Sequence, residues 1–248
     1  MTEHAQIVLV TGESGTGKSR SLKNIRNHDK WMYLNCEGIK DLPFNNNFKK
    51  AIIQDAMTVP AHMKTALSSD KCNGVIVDTL TFLMDMFATQ YVLKSPDPRS
   101  AWATYKTFFV NNLMQTAVSN LAQAGKPVII LAHNQQIFDP ENNIKVCKVP
   151  VQGSLKDKGV EASFTTVVST KLMSVEDLIE GGYESELLNI TEDEAELGFK
   201  HVFQTRKTKD TIHEKIKSPE DLFTRKQTFI DNDAQILLDH MDNYYKKQ

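Results

Sequence analysis

Gly12-Glu13-Ser14-Gly15-Thr16-Gly17-Lys18-Ser19 directly follows the apolar run Ile7-Val8-Leu9-Val10. Glycines at this spacing let the backbone curl tightly and turn successive N–H groups inward. Such donors, at the start of a following helix, make a concave site for an anion. The lysine after the last glycine reaches β- and γ-phosphates, and the next hydroxyl is a ligand for Mg²⁺. The pattern G-x-x-x-x-G-K-[ST] therefore predicts a nucleoside triphosphate held by Gly12, Glu13, Ser14, Gly15, Thr16, Gly17, Lys18, Ser19 and the adjoining Arg20, with Ser19 also facing the metal.

Two carboxylates and a histidine extend this chemistry. Asp78 ends the run Gly74-Val75-Ile76-Val77. An aspartate at the carboxyl end of a core strand sits beside the phosphates and holds a Mg²⁺-bound water; the plainer reading is a cap for the next helix. Glu37 follows Trp31-Met32-Tyr33-Leu34-Asn35-Cys36. If that strand neighbours the first, Glu37 projects toward the γ-phosphate and polarises a water for in-line attack; otherwise it is an ordinary surface glutamate. His133, with Asn134 and Gln135, lies just past the strand Val128 to Ala132, placed either to sense the γ-phosphate or to serve structure. Arg206-Lys207-Thr208-Lys209-Asp210 follows the strand-like His201 to Thr205. Its cations reach phosphates of the same subunit, a neighbour's nucleotide, or nucleic acid, unless they form only a solvated basic turn. No two histidines or cysteines have metal-ligand spacing.

The elements that position these residues recur at the pace of βα units. Strands are expected at about 6–11, 31–36, 51–54, 74–78, 127–132, 164–170 and 199–205. Solid apolar runs such as Val128-Ile129-Ile130-Leu131 suit parallel strands covered on both faces. Helices are expected over Ser19 to Asn27, over Val59 to Ser68 with Pro60 in its first turn, and over Arg99 to Ala124, ended by Gly125-Lys126-Pro127. The stripe Trp102, Tyr105, Phe108, Phe109, Leu113 and Leu121 reads as core packing, with a subunit contact as the other use of Trp102. Phe138 to Gly159 is polar, and Lys145, Lys148, Lys156 and Lys158 make it basic; it reads as a long loop, functional or mobile, with room for a hairpin. Glu176 to Glu196 reads as an acidic, solvated excursion, and Asp231 to Tyr245 as a terminal amphipathic helix.

The bulk properties set limits. At 248 residues the chain has room for one large α/β domain. A formal charge of −2 gives no global attraction to nucleic acid or acidic lipid, so any such binding belongs to local patches. No apolar run is long enough for a bilayer. The start, Thr2-Glu3-His4, does not read as a signal peptide, so the cytoplasm is the expected location. Cys36, Cys72 and Cys147 are far apart in sequence and read as reduced, buried thiols.

Together these pieces resemble the RecA-type ATPase core. Tyr33-Leu34-Asn35-Cys36-Glu37-Gly38 is similar to the RecA segment that carries its catalytic glutamate, and Val75-Ile76-Val77-Asp78-Thr79 to its metal-binding strand. Ile129-Ile130-Leu131-Ala132-His133 resembles the strand whose last residue senses the γ-phosphate; His133 stands where RecA has glutamine, and Gln135 is a nearby substitute. Lys207 and Lys209 resemble the paired lysines with which one RecA subunit contacts its neighbour's nucleotide. More narrowly, Arg206-x-x-Lys209-Asp210 followed by Ser218-Pro219-Glu220-Asp221-Leu222-Phe223 resembles bacteriophage Sak-type single-strand annealing ATPases. The likeness spans roughly residues 6 to 226.

The resemblance implies a RecA-like P-loop fold: a mostly parallel central sheet flanked by helices, with late antiparallel strands and a C-terminal helix. It implies one domain over 1–248, made of a nucleotide-binding core (1–135), a candidate DNA-binding loop (136–160), late strands (161–230) and a terminal helix (231–248). It further implies ATP and Mg²⁺ as ligands, with Lys18, Glu37 and His133 as catalytic residues and Ser19 and Asp78 at the metal. The implied partners are single-stranded DNA and further copies of the chain, in a filament or ring with ATP at the subunit interface, in the host cytoplasm for a phage-encoded chain. A nucleotide or small-molecule kinase and an ATP-dependent switch are the alternatives, and the scarcity of arginines for a phosphoryl clamp weighs against the kinase.

Overall fold

The computed structural model describes residues 6–155 and 159–246; Lys156 and Lys158 of the expected basic loop lie outside the described residues. Phosphate-loop strand β1 (Ile7–Gly12) is followed by β2 (Trp31–Asn35), β3 (Lys49–Ile52), α1 (Val59–Leu67), β4 (Gly74–Asp78), α2 (Leu80–Phe87), α3 (Pro98–Thr107), α4 (Ser119–Gln123) and β5 (Val128–His133). The second half contains β6 (Gln135–Asp139), β7 (Ile144–Lys148), β8 (Thr166–Ser174), α5 (Val175–Glu180), α6 (Glu192–Leu197), β9 (Phe199–Gln204), β10 (Phe229–Asp231) and α7 (Ala234–Lys246).

Eight strands form one sheet in the order β10-β9-β8-β1-β5-β4-β2-β3. From β3 to β8 every pairing is parallel, whereas β9 runs antiparallel to both β8 and β10. This is the expected α/β architecture, late antiparallel strands included. The continuous apolar runs explain it, because alternate residues enter different cores. Leu9, Val75, Val77 and Ile130 face α1, α2 and the long helical stretch from α3 to α4. Val8, Val10, Ile76, Ile129 and Leu131 face the segment after the phosphate loop and α7. Burying whole aliphatic side chains on both faces stabilises such strands by about 1.5–3 kcal/mol each, and makes the central strands the rigid base of the site.

The expected helix over Ser19 to Asn27 is not formed. Only one tight 3₁₀ turn, Ser19–Leu22, follows the loop. Lys23 N–H bonds Arg20 O at 3.0 Å and Ile25 N–H bonds Leu22 O at 3.2 Å, three residues back rather than four. The side chains here serve α7 instead. Asn24 Nδ2 donates to Asp233 Oδ2 at 2.6 Å, and the Arg26 guanidinium grips both oxygens of Asp239. Asn27 then turns into the left-handed region at φ 55°.

The long hydrophobic helix does form, with α3 passing through a π-helical stretch (Phe108–Val118) into α4. Tyr105, Phe108, Phe109, Leu113 and Leu121 are buried. Trp102 packs within the chain, so close to Gly153 that a β-carbon there would lie 2.6 Å from the ring.

The expected loop starts as a hairpin, β6–β7, that leaves β5 after one residue. The acidic excursion holds two short helices, started by the side chains of Ser174 and Thr191. Carboxylates crowd their first turns, where the helix dipole favours them. Strand β10 carries no sequence signal, because three residues are too few for a period to show. Cys36 and Cys72 are buried free thiols, while Cys147, on the hairpin, is only half-buried.

Candidate nucleotide site

Parallel strands bring their carboxyl ends to one edge of the sheet, and register sets what meets there. Gly12 pairs with His133, and Asp78 with Asn35. Strand β2 neighbours β4 and is separated from β1 by β5 and β4, so Glu37 reaches the site across these two strands rather than from beside β1. The phosphate loop leaves β1 at Gly12, where a β-carbon would collide with Thr170 Oγ1 at 1.9 Å. Gly17 adopts φ +105°, a conformation that L side chains rarely take.

Lys18 is 6% exposed. Its ammonium donates to Gly12 O at 2.9 Å and Glu13 O at 2.8 Å, so it sits inside the loop. Burial pulls its pKa down to about 8, against the attraction of Asp78 and Glu37. Phosphate charge in the loop would favour the ammonium and reverse that shift.

Asp78 ends β4 and is buried. Its Oδ2 accepts from Tyr33 OH at 2.7 Å and from Ser19 Oγ at 3.3 Å. Its Oδ1 is buried without a partner among the described residues. Desolvation raises its pKa, and the bonds from Tyr33 and Ser19 oppose the rise. A carboxylate with an unfilled oxygen, beside a serine hydroxyl, is a hard oxygen donor set that suits Mg²⁺. The residues present therefore fit this metal. The cap of α2 is Thr79, whose Oγ1 accepts from Phe82 N–H at 3.5 Å, so Asp78 is not spent on that task.

Glu37 is no ordinary surface residue. Its side chain is 7% exposed. Lys40 Nζ donates to Oε2 at 2.7 Å, and His133 Nε2 stands 3.5 Å from Oε1, the outer limit of a hydrogen bond. His133, and Lys40 with it, draw the Glu37 pKa down to about 2 against the opposing effect of burial. Asn35 stitches the turn that presents Glu37: its Nδ2 donates to Gly38 O at 3.1 Å and Lys40 O at 2.9 Å, and its Oδ1 accepts from Glu37 N–H at 2.8 Å. His133 is fixed by its backbone N–H, which donates to Thr81 Oγ1 at 2.8 Å, and by the edge of Phe82.

Lys18, Ser19, Glu37, Asp78 and His133 thus share one sheet edge. Within the loop Glu13, Ser14 and Gly15 are exposed, and so is Arg20 just beyond it. Gln135 begins β6 and is exposed. Lys207 and Lys209 are not brought to this edge by a strand end. Because β9 is antiparallel, Gln204 ends it level with Ser169, and the chain turns there, so that Asp210 and Thr211, just after the lysines, line a cleft with Glu13 and Thr16 of the loop. Both lysines are exposed, with no hydrogen bond or ion pair among the described residues. Lys207 lines a separate cleft of about 440 Å³ with Arg206, Lys217 and Asp221.

Sequence reading missed Tyr33, Asn35 and Lys40. A period of two from Asp78's partner Asn35 would have found Tyr33, and the three-residue step from Glu37 across Gly38 would have found Lys40. It also missed His201 and Asn232, which brace the loop from the β9 side. His201 Nδ1 lies 3.0 Å from Thr16 O, and Asn232 Nδ2 donates to Gly17 O at 2.9 Å. Nothing local marks contacts between residues so far apart in the chain.

Sheet order, loop and strand-end residues define an α/β P-loop NTPase. A family model described as an AAA domain matches residues 4–216, and the chain belongs to that family. It is therefore a nucleotide-binding domain of the ATPase type. No curated protein matches the chain. Among the described residues no helix is long and apolar enough to cross a membrane.

Proposed function

We propose that this chain hydrolyses ATP with Mg²⁺, binds single-stranded DNA, and assembles on it in the manner of the RecA-like phage annealing ATPases that its sequence resembles. The observation that carries the hydrolytic reading is the Glu37–His133 pair at the mouth of the loop that holds Lys18. Lys18 and the loop amides neutralise and orient the triphosphate. Glu37, ionised at any ordinary pH, accepts a hydrogen bond from the attacking water and aligns it for in-line displacement. With a pKa near 2 it orients rather than strips the water, as a loose phosphoryl transition state requires. Ser19 and Asp78 would hold Mg²⁺, which supplies charge neutralisation between the phosphates. His133, bonded to Glu37 and paired with Gly12, is placed to respond to the γ-phosphate.

The DNA reading is supported by the hairpin β6–β7, which begins one residue after β5. It carries Lys145, Lys148 and a 56% exposed Phe138. Cations attract the backbone and an exposed ring stacks on bases. Lys145 also lines a cleft of about 490 Å³ with Lys171 and His213, reaching Glu13 and Thr16 of the loop. Assembly is supported by Ile39, 97% exposed on the same turn as Glu37, and by the unpaired Lys207 and Lys209. The test is phosphate release from ATP with and without an oligothymidylate. Turnover that rises with the oligonucleotide is expected; equal turnover counts against the DNA reading. Diphosphate formed from an added nucleoside monophosphate would mark a kinase instead.

A further inference from the structure

A triphosphate in the loop belongs to a nucleotide, and its base must leave the loop on one side. The flank toward β5, β4 and β2 is crowded with ionisable side chains: Asp78, Glu37, Lys40 and His133. The opposite flank is different. Residues 199, 201 and 203 of β9 alternate onto one face of the sheet. Phe203 is buried in the core beneath α7. His201 reaches the loop itself, 3.0 Å from Thr16 O. Phe199, one step further out, places its ring 6.3 Å from the His201 ring and nearly perpendicular to it, and remains 40% exposed. Leu172 of β8 pairs with His201, shares its face, and is 52% exposed. Large apolar side chains left open beside a polar loop form a shelf continuous with the phosphate site.

We infer that this shelf is the nucleobase subsite, with the base stacked on Phe199 and bordered by Leu172 and His201. The inference rests on the reading of Gly12 to Ser19 as a triphosphate site, and adds which surface distinguishes a nucleotide from bare phosphate. An aromatic ring stacks on any base face, so affinity gained here is tolerant of base identity. His201 has a double position: one ring nitrogen is committed to the loop, and the ring lies between loop and shelf. It is a positioning residue that couples base contact to loop geometry.

The experiment compares calorimetric affinities of Mg²⁺-ATP and Mg²⁺-tripolyphosphate for the wild type, Phe199→Ala and Phe199→Tyr. Wild type is expected to prefer ATP, Phe199→Ala to lose roughly tenfold in ATP affinity with tripolyphosphate unchanged, and Phe199→Tyr to keep the preference. Should Phe199→Ala fail to fold, Phe199→Thr keeps the strand propensity and removes the ring. Two results overturn the subsite: a ring-less variant that still prefers ATP, or a wild type that binds tripolyphosphate as tightly as ATP. Neither touches the phosphate loop. A wild type that binds neither ligand overturns the loop reading itself, and the subsite with it.

Discussion

The two flanks of β1 are built differently. On the β5 side, strand ends of one direction converge, and each polar side chain is held by another: Asp78 by Tyr33 and Ser19, Glu37 by Lys40, His133 by Thr81. On the β8 side the next strand reverses, and beside the bonded His201 and Lys171 two large apolar side chains, Phe199 and Leu172, are left open at the edge. A parallel sheet concentrates chemistry at one edge because every strand ends there; an antiparallel strand breaks that convergence. The first flank suits bond-breaking, which needs preorganised dipoles. The second suits recognition by exposed surface.

Substitutions sharpen the contrast. The largest effect is expected from Glu37→Gln, which keeps shape and removes charge: kcat should fall about 10²–10³-fold with ATP affinity unchanged, read by phosphate release and calorimetry. A parallel loss of affinity would show that Glu37 works in binding rather than chemistry. Next is Glu214, the buried acid between the flanks, which accepts from Ser169 Oγ at 2.5 Å, Lys171 Nζ at 2.6 Å and Asn134 Nδ2 at 3.3 Å. Glu214→Ala strands three donors and should cost about 3 kcal/mol in urea unfolding. A cost below 1 kcal/mol would mean the flanks are held together elsewhere.

A smaller effect is expected from Lys207→Ala with Lys209→Ala. If the chain assembles as proposed, turnover at high protein concentration should fall about tenfold, while ATP affinity of the dilute protein stays within about twofold. A drop in dilute affinity would place these lysines on their own subunit's nucleotide.

The smallest effect concerns protons. Lys18 has its pKa lowered to about 8 by burial, and bound phosphates should raise it again. ATP binding near pH 9 should take up close to one proton, read from calorimetry in buffers of different ionisation heat, and affinity should decline as pH rises through 8. For the free protein the sign is opposite. The unfolded chain holds more protons on this lysine between about 8 and its ordinary value, so folding stability from this group increases with pH across that window.

How much of this was legible in the sequence follows the same division. Lys18 and Ser19 could be placed by the spacing of the glycines before them, and Asp78 and His133 because each follows an unbroken apolar run; such runs are parallel core strands whose ends share an edge. Glu37 could be named, but not its position beyond β5 and β4, three strands from β1, because strand order leaves no local trace. The helix after the loop was expected from Ser19 onward and is a single 3₁₀ turn. Asn24 and Arg26 look like ordinary helix residues until α7, more than two hundred residues later, claims their side chains. Lys207 and Lys209 follow a strand, and the sequence leaves their own subunit's phosphates, a neighbour's nucleotide and nucleic acid all open to them; a six-residue strand says nothing of its direction, so their path past the sheet has no local trace. The shelf at Phe199 was invisible for the same reason: an aromatic at a strand start reads as core until the neighbouring strands show that it stays 40% exposed.

The most direct test of the whole account is a calorimetric titration of Mg²⁺-ATP into the wild type and into Lys18→Ala. Removing the buried ammonium should weaken binding by about a hundredfold or more, because the loop then lacks its one internal cation. Equal affinity in the two proteins would contradict the account at its base.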